Sequence, residues 1–391
     1  MRGSLLAVVI WLLPASPTLA QEVDRSLVLE EFDIQTDGDM LLVPVRIGDK
    51  DCTFAVATGC TDTLVDASLK HLLGAPVGTA SAKTPNGTVD VPVFEFPSMY
   101  WGRIPVTVRG RVGCLPLDSI RKQLGHPVDG FLGMDVLSNF VMHLDFDNGK
   151  LSLLQKPIRE GTVVSFADQQ KPTVPIQFPG LEPIQCSIDT GKYSGNTGSI
   201  LPKTFSRLGN NGSLVESGKL HLIWEASGTA EVRHGLVNKF TIGDDFSFVD
   251  TAWDEHKHGR EGFVGLYFLT QFNVTFDFPH CVIYLKKNKN FGHRDAVVCC
   301  GLHAYRIDGQ VVVQSVDEDG PAEKCGLRAN DIIKAVDGKD ADQARMFELF
   351  KAFWYPREHI PLVIERDSKT IEMELTLPEP PRFVLSRIRI D

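Results

Sequence analysis

One pattern repeats in this sequence at a fixed spacing, and it restricts the architecture that the chain can adopt. Phe54–Gly59 reads Phe-Ala-Val-Ala-Thr-Gly and Cys186–Gly191 reads Cys-Ser-Ile-Asp-Thr-Gly, and the two segments are 132 residues apart. Two further pairs of residues have the same separation and similar neighbours: Gly133 with Gly265, and Asp145 with Asp277. Three landmarks at one separation indicate a gene duplication. We therefore predict two similar lobes, at residues 27–157 and 160–288.

Each lobe is predicted to consist mainly of β-strands. The apolar runs Leu41–Ile47 and Pro92–Phe96 are bounded by Gly, Pro and Asp, which usually flank strands. The pair Asn148-Gly149 is typical of the tight turn of a hairpin. Between these strands, Met134–Phe140 predicts a short helix.

The composition excludes several classes of protein. Hydrophobic residues make up 43% and charged residues 23% of the chain, which is the balance of a folded protein. The net charge of −10 disfavours a nucleic-acid-binding protein, which needs a basic surface. No cluster of His, Cys and acidic residues has the spacing of a metal site, so we predict neither a metal nor a cofactor.

The N-terminal segment Met1–Ala20 is predicted to be a secretory signal peptide. Arg2 provides a positive charge, the run Leu5–Leu13 is apolar, and Thr18–Ala20 offers a small-residue cleavage site. The apolar run is too short to cross a bilayer as a helix, although a short membrane anchor is an alternative. We therefore predict an exported protein, periplasmic or extracellular, without a membrane span after removal of the signal. Export would allow disulfides, but the pairing of the cysteines cannot be read from the sequence.

The order of motifs in lobe two resembles that of the aspartic proteases. An apolar strand ends in Asp189-Thr190-Gly191, and Phe263–Gly265 then precedes a short helix and a hairpin. Over roughly residues 27–288 the chain is similar to the two-lobed, retropepsin-like members of that family. The resemblance implies that Asp189 is catalytic, that Thr190 and Gly191 shape its loop, and that a peptide or protein substrate lies between the lobes. Two such carboxylates share a proton, so that one acts as base and the other as acid.

Lobe one departs from the family pattern at the residue that matters most. It reads Ala57-Thr58-Gly59, so the threonine and glycine of the loop are present and the carboxylate is not. A methyl group cannot accept a proton or orient water, and losing such a group typically lowers the rate by about 10²–10⁴. Asp62 and Asp66 are the nearest acids in sequence. We expect Asp62 to line the cleft or cap the next turn rather than to replace the missing acid.

A third domain is predicted at residues 297–378, after the charged segment Lys286–Asn290. Gly320–Leu327 and Asn330–Gly338 together resemble a PDZ domain of the bacterial exported type. Such domains bind the C-terminus of a protein, or an internal peptide, by adding it as a strand to a sheet edge. The resemblance places the loop that would hold the peptide carboxylate at four residues: Cys300, Gly301, Leu302 and His303.

The predicted fold class is mainly β, with a duplicated, double-lobed aspartic-protease β-barrel fold followed by an α+β PDZ domain and a tail at residues 379–391. Three functions are compatible with it. The first is a pseudoprotease that binds peptides without cutting them, and Ala57 favours this reading. The second is an active aspartic endopeptidase that uses Asp189 with an unidentified second group. The third is an envelope scaffold in which only the PDZ domain is active.

Overall fold

The computed structural model describes residues 24–84, 87–106, 108, 110–167, 169–225, 228–243, 246–256, 262–295 and 300–378. The predicted signal peptide at residues 1–20 and the predicted tail at residues 379–391 lie outside this part of the chain. Within it, no helix is both long enough and apolar enough to cross a bilayer.

Lobe one is built from short strands around two small helices. Its elements are β1 (Val28–Asp33), β2 (Leu42–Ile47), β3 (Lys50–Val56), β4 (Leu64–Asp66), β5 (Pro76–Thr84), β6 (Gly87–Glu95), β7 (Met99–Trp101), β8 (Ile104–Val106), β9 (Arg111–Leu115), α1 (Asp118–Leu124), β10 (Gly130–Leu132), α2 (Met134–Leu137), β11 (Val141–Asp145) and β12 (Lys150–Leu154), with 3-10 turns at Arg25–Leu27 and Ala67–Leu72. Nine strands form one sheet, in the order β5-β6-β9-β4-β10-β3-β2-β7-β8. The helix predicted after Leu132 is confirmed, although it ends at Leu137.

Alternating burial explains why the apolar run at Leu41–Ile47 forms a strand. Val43, Val45 and Ile47 are buried, while Pro44 is exposed and Arg46 is half-buried. Successive side chains of a strand point to opposite faces, so this alternation places one face of β2 in the core of lobe one.

Lobe two repeats the plan of lobe one with longer hairpins. Its elements are β13 (Thr162–Ser165), β14 (Thr173–Gln177), β15 (Ile184–Asp189), β16 (Gly198–Ile200), α3 (Pro202–Asn210), β17 (Leu214–Glu225), β18 (Gly228–Ile242), β19 (Phe246–Glu255), β20 (Gly262–Gly265), α4 (Leu266–Leu269), β21 (Phe272–Asp277) and β22 (Val282–Lys287), with a 3-10 turn at Phe278–His280. Seven strands form a sheet in the order β14-β15-β20-β16-β19-β18-β17. Its core is rich in aromatic rings, of which Phe178, Phe240 and Trp253 pack against one another.

A six-stranded sheet joins the lobes, in the order β1-β12-β11-β21-β22-β13. At its centre β11 of lobe one pairs with β21 of lobe two, with Val141 opposite Asp277. His143 and Thr275, which are 132 residues apart, form a buried hydrogen bond of 2.8 Å in this pair of strands. Corresponding strands of the two lobes therefore pair at the centre of this sheet.

The third domain has its own sheet and its own core. Its elements are β23 (Leu302–Ile307), β24 (Gln310–Val316), α5 (Pro321–Lys324), β25 (Ile332–Val336), β26 (Lys339–Asp340), α6 (Met346–Phe350), β27 (Arg357–Arg366) and β28 (Lys369–Leu377), with a 3-10 turn at Lys351–Phe353. The strands are ordered β23-β24-β25-β27-β28, and β26 pairs with β25. Apolar residues from both helices and from the sheet form a cluster separate from that of the lobes. The predicted mainly β class with a C-terminal α+β domain is confirmed.

Candidate functional site

Two equivalent loops meet where the lobes join. Asp189 is the last residue of β15, and Ala57 directly follows β3. Each of these strands runs parallel to the strand that leads to the repeated glycine, β20 in lobe two and β10 in lobe one. Asp189 lies opposite Gly265 in this pairing. Ala57 and Asp189 therefore occupy corresponding places in the two lobes.

The threonines of the two loops bond to each other across the lobe boundary. The Thr58 amide donates to Thr190 Oγ1 at 3.1 Å, and the Thr190 amide donates to Thr58 Oγ1 at 3.0 Å. Each hydroxyl then donates to a backbone carbonyl of the other lobe, Thr58 to Ile188 at 2.6 Å and Thr190 to Val56 at 2.7 Å. Both threonines are fully buried. Four reciprocal hydrogen bonds thus fix the loops against each other, and lobe one keeps its loop geometry.

Two backbone amides hold the carboxyl group of Asp189. The amide of Gly191 donates to Oδ1 at 2.8 Å, and the amide of Gly59, from the other lobe, donates to the same oxygen at 3.1 Å. A side chain at Gly59 would place its Cβ 2.2 Å from Asp189 Cγ. Glycine at that position is therefore required for the close approach of the two loops.

Burial raises the pKa of Asp189 above its ordinary value, although the two amide hydrogen bonds and the positive charges of Lys192 and Lys171 act in the opposite direction. The carboxyl group therefore stays protonated to a higher pH than an exposed Asp. Oδ1 is engaged by both amides, so a proton on this group would be carried by Oδ2.

Ala57 faces the same small space from lobe one. Its carbonyl accepts the amide of Cys60 at 3.1 Å, just as the carbonyl of Asp189 accepts the amide of Lys192 at 3.3 Å. A Cβ built on Gly191 would lie 3.0 Å from Ala57 Cβ and 3.1 Å from Asp189 Oδ1. The lobe-one loop therefore presents a methyl group where the lobe-two loop presents a carboxyl group.

The four residues predicted to hold a peptide carboxylate lie at the start of the third domain. Cys300 and Gly301 precede β23, while Leu302 and His303 are its first two residues. Gly301 has a φ of 69°, which favours glycine, and a side chain there would meet Asp317. His303 Nε2 lies 2.7 Å from Asp317 Oδ1. The carboxylate-binding role of these residues stays a prediction.

Two parts of the chain are similar to known protein families. Residues 43–136 match the family described as aspartyl protease, and residues 285–377 match the PDZ domain family. The chain carries an aspartyl-protease-like lobe and a PDZ domain. The first of these matches covers the Ala57 loop, and the second covers the separate C-terminal sheet.

Two curated relatives are serine proteases that match a short stretch of the chain. Serine endoprotease DegS of Escherichia coli (strain K12) is 38% identical over 71 residues, which are 18% of this chain and 20% of the relative. The probable periplasmic serine endoprotease DegP-like of Chlamydia pneumoniae is 34% identical over 71 residues, which are 18% of this chain and 14% of the relative. The chain thus spans a fifth or less of the length of these relatives. It is a protease-like protein with a PDZ domain.

The two acids nearest to Ala57 in sequence are used elsewhere in the aspartyl-protease-like lobe. Asp62 is exposed and accepts a hydrogen bond from the Thr61 hydroxyl at 2.7 Å. Asp66 is buried, caps the following 3-10 turn through Ser68, and accepts the Leu117 amide at 2.8 Å. Asp66 therefore has a structural role. Within the described residues, neither acid accepts a hydrogen bond from Thr58, Gly59, Thr190 or Gly191.

In each lobe, a buried or partly buried Asp accepts hydrogen bonds from a threonine that follows the loop, and the sequence analysis did not identify either Asp. In lobe one, Asp135 accepts the amide and the hydroxyl of Thr63 at 3.0 and 2.7 Å. In lobe two, the corresponding Thr197 bonds instead to Asp295, which lies between β22 and β23. The repeat contained one signal of this exchange, because Tyr267 stands 132 residues after Asp135.

The thiol beside the loops is not suited to act as a nucleophile. Burial raises the pKa of Cys60 to about 12, and the negative charge of Asp189 acts in the same direction. A thiol with such a pKa stays protonated at neutral pH. Among the described residues, no three His, Cys or acidic side chains are grouped in a way that could hold a metal ion.

Replacing Thr190 with Val is expected to lower the free energy of unfolding by about 2–5 kcal/mol, because the Thr58 amide and the Val56 carbonyl lose buried partners. Thr190→Ser keeps the hydroxyl and is the matched control, for which a much smaller loss is expected. Urea unfolding of both variants measures the effect. Equal losses in the two variants would contradict a role for the hydroxyl.

Proposed function

We propose that this protein is an exported pseudoprotease, which binds peptide segments between its lobes and does not cut them. One observation carries the proposal: Ala57 lies in the place that corresponds to Asp189, in a loop that keeps its hydrogen bonds to the other lobe. The loop has therefore kept its shape while losing the acid. A site of this kind can still bind an extended peptide.

Hydrolysis by this family's mechanism needs a base to activate water and an acid to protonate the leaving group. Asp189 supplies one carboxyl group, and the methyl group of Ala57 supplies neither function. Asp66 caps a 3-10 turn through the amide of Ser68 and also accepts the amide of Leu117, and Asp62 is exposed to solvent. These placements favour peptide binding over an active endopeptidase that draws its second acid from nearby.

The chemistry of Asp189 fits a binding role. Its raised pKa keeps the carboxyl group protonated to a higher pH than that of an exposed Asp. A proton on Oδ2 can then be donated to a peptide carbonyl, whereas the ionised group would repel it. We therefore expect peptide binding between the lobes to weaken as the pH rises through the pKa of Asp189.

The PDZ domain provides a second peptide site in this proposal. Its edge strand β23 begins at Leu302, next to the residues predicted to hold a carboxylate. The proposed export rests on the resemblance of residues 1–20 to a signal peptide and on the similarity to a relative described as a probable periplasmic endoprotease. A chain in that compartment would meet unfolded segments and free C-termini of other exported proteins.

The test uses a pool of peptides that are acetylated at the N-terminus and amidated at the C-terminus, so that they offer no free carboxylate. The unmodified protein and Asp189→Asn are incubated with the pool from pH 3 to 7, and mass spectrometry reads both retention and cleavage. We expect retention by the unmodified protein that weakens as the pH rises. Retention by Asp189→Asn should stay constant, because the amide group remains a donor at every pH, and neither protein should cleave the peptides.

Each other outcome has a definite meaning. Cleavage by the unmodified protein that is lost in Asp189→Asn would replace the proposal with an active endopeptidase. Equal behaviour of both proteins at every pH would show that the cleft does not use Asp189, which is the result expected of a scaffold that works through its PDZ domain alone.

A further inference from the structure

Helix α1 of lobe one contacts an edge strand of the PDZ sheet. The two edge strands of this sheet are β23 and β28. Helix α5 of the same domain contacts β28, whereas α1 of lobe one contacts both β23 and α6. The strand next to the predicted carboxylate loop therefore faces an element of another domain.

The end of α1 touches both β23 and α6. Gly125 closes the helix with a φ of 67°. A Cβ at this glycine would come within 2.8 Å of Arg306 Nε on β23 and within 3.0 Å of Met346 Cγ, at the first residue of α6. A side chain here would force Arg306 and Met346 to shift, so the contact is close.

A charged cluster holds the domains together beside this contact. Arg345, the residue before α6, donates to Asp37 Oδ2 at 2.7 Å and also bonds to Asp39. Asp39 is buried and also lies 3.4 Å from His126 Nε2, just beyond α1. The side chains of Arg345 and Asp37 are about four-fifths buried, so water screens this pair less than a surface salt bridge.

We propose that α1 is an intramolecular cap of the PDZ domain, so that lobe one and a peptide C-terminus compete for β23. An added strand must lie about 4.8 Å from β23 along its free edge to make its backbone hydrogen bonds. The end of α1 lies against that strand. This inference rests on the peptide-binding function proposed above for the PDZ domain.

The opposite face of α1 links the cap to the cleft. Leu117, Ile120 and Leu124 belong to one buried cluster with Ala57 and Phe131. A peptide that displaces α1 from the PDZ domain therefore disturbs the packing directly behind the Ala57 loop. Because coupling between two sites is reciprocal, a ligand between the lobes would also change the affinity of the PDZ domain for its peptide.

The test weakens the cap from the side of lobe one and leaves the PDZ domain intact. Asp37→Asn removes the negative charge of one partner of Arg345. Asp337→Asn is the matched control, because it removes the negative charge from the bidentate pair with Arg357 inside the PDZ domain. The probes are fluorescein-labelled hexapeptides ending in Val, Leu, Ile or Phe with a free carboxylate, and fluorescence anisotropy measures their affinity for the full chain.

We expect Asp37→Asn to bind the best probe about fivefold more tightly than the unmodified protein, because the open form is more populated. Asp337→Asn is expected to leave the affinity unchanged. We also expect the probe to increase amide hydrogen exchange at residues 118–124 of the unmodified protein. Tight binding without either change would overturn the cap and leave the peptide-binding function standing. No binding of any free-carboxylate probe, even by Asp37→Asn, would overturn that function and the cap with it.

Discussion

Replacing Ala57 with Asp is expected to give the chain an endopeptidase activity that the unmodified protein lacks. The lobe-one loop already has the bonds that hold its lobe-two counterpart, since Thr58 and Thr190 exchange four hydrogen bonds with the opposite lobes. Gly191 leaves space beside Ala57 Cβ, as Gly59 does beside Asp189. The new carboxyl group would therefore face Asp189 across this space.

The expected gain is at least about 10²–10⁴ in rate, the usual contribution of one positioned acid or base. Two carboxyl groups at short distance titrate as a pair, with one pKa raised and one lowered. The activity should therefore lie in the acidic range and fall at both ends of it. Cleavage of the capped peptide pool between pH 3 and 7, read by mass spectrometry, measures the gain.

Two control variants separate the chemistry from a change of shape. Ala57→Asn introduces a side chain of similar size that cannot exchange a proton, and it should remain inactive. The double variant Ala57→Asp, Asp189→Asn should also be inactive. A folded Ala57→Asp variant without any cleavage would mean that more than one carboxyl group separates this protein from a protease.

The repeat predicts equivalent places for Ala57 and Asp189 from the sequence alone, once the two segments with the same motif are aligned. The parallel pairing of each loop strand with the strand of the repeated glycine is a finding of the structure. The repeat also places Thr58 and Thr190 in equivalent loops, but their hydrogen bonds to each other are known only from the structure. Such loops can be predicted because their backbone geometry requires particular residues, such as glycine where two loops approach closely.

The parts that escaped prediction join segments that are remote in the sequence. Arg345 and Asp37 are 308 residues apart, and neither belongs to a motif. The helix α1 was not predicted at all, and its contact with β23 depends on how two domains pack. Periodicity describes which face of an element is apolar, and it does not say which domain will cover that face.

The support of the lobe-two loop by Asp295 was missed for the same reason. Asp295 is 98 residues from Thr197. It has the role that Asp135 has in lobe one, but Asp135 lies within its own lobe. Its Oδ2 accepts the amide of Thr197 at 3.0 Å, the hydroxyl of Thr197 at 2.7 Å and the amide of Ala252 at 2.7 Å. The carbonyl of Thr197 then accepts the amide of Gly265, which lies opposite Asp189.

Replacing Asp295 with Ala should therefore destabilise lobe two strongly. Three buried donors lose their acceptor at once, and each costs about 1–3 kcal/mol, so we expect a loss of about 5 kcal/mol in the free energy of unfolding. This is comparable to the whole stability of many domains. Urea unfolding followed by tryptophan fluorescence suits the measurement, because Trp253 is fully buried next to Ala252. A loss of less than about 1 kcal/mol would show that Asp295 does not support the loop.

The variant Asp295→Asn keeps an acceptor oxygen and isolates the effect of charge. Burial raises the pKa of Asp295 to about 6, above its ordinary value of 3.8, even though three donors and the charge of His234 act against it. A carboxyl group with a raised pKa stabilises the folded state fully below pH 3.8, and this contribution is lost as the pH rises through about 6. We therefore expect the unmodified protein to lose up to roughly 3 kcal/mol from this group between pH 4 and 7, while Asp295→Asn loses none of it. The stability of Asp295→Asn relative to the unmodified protein should rise over that range, and a constant difference would mean that Asp295 is ionised throughout.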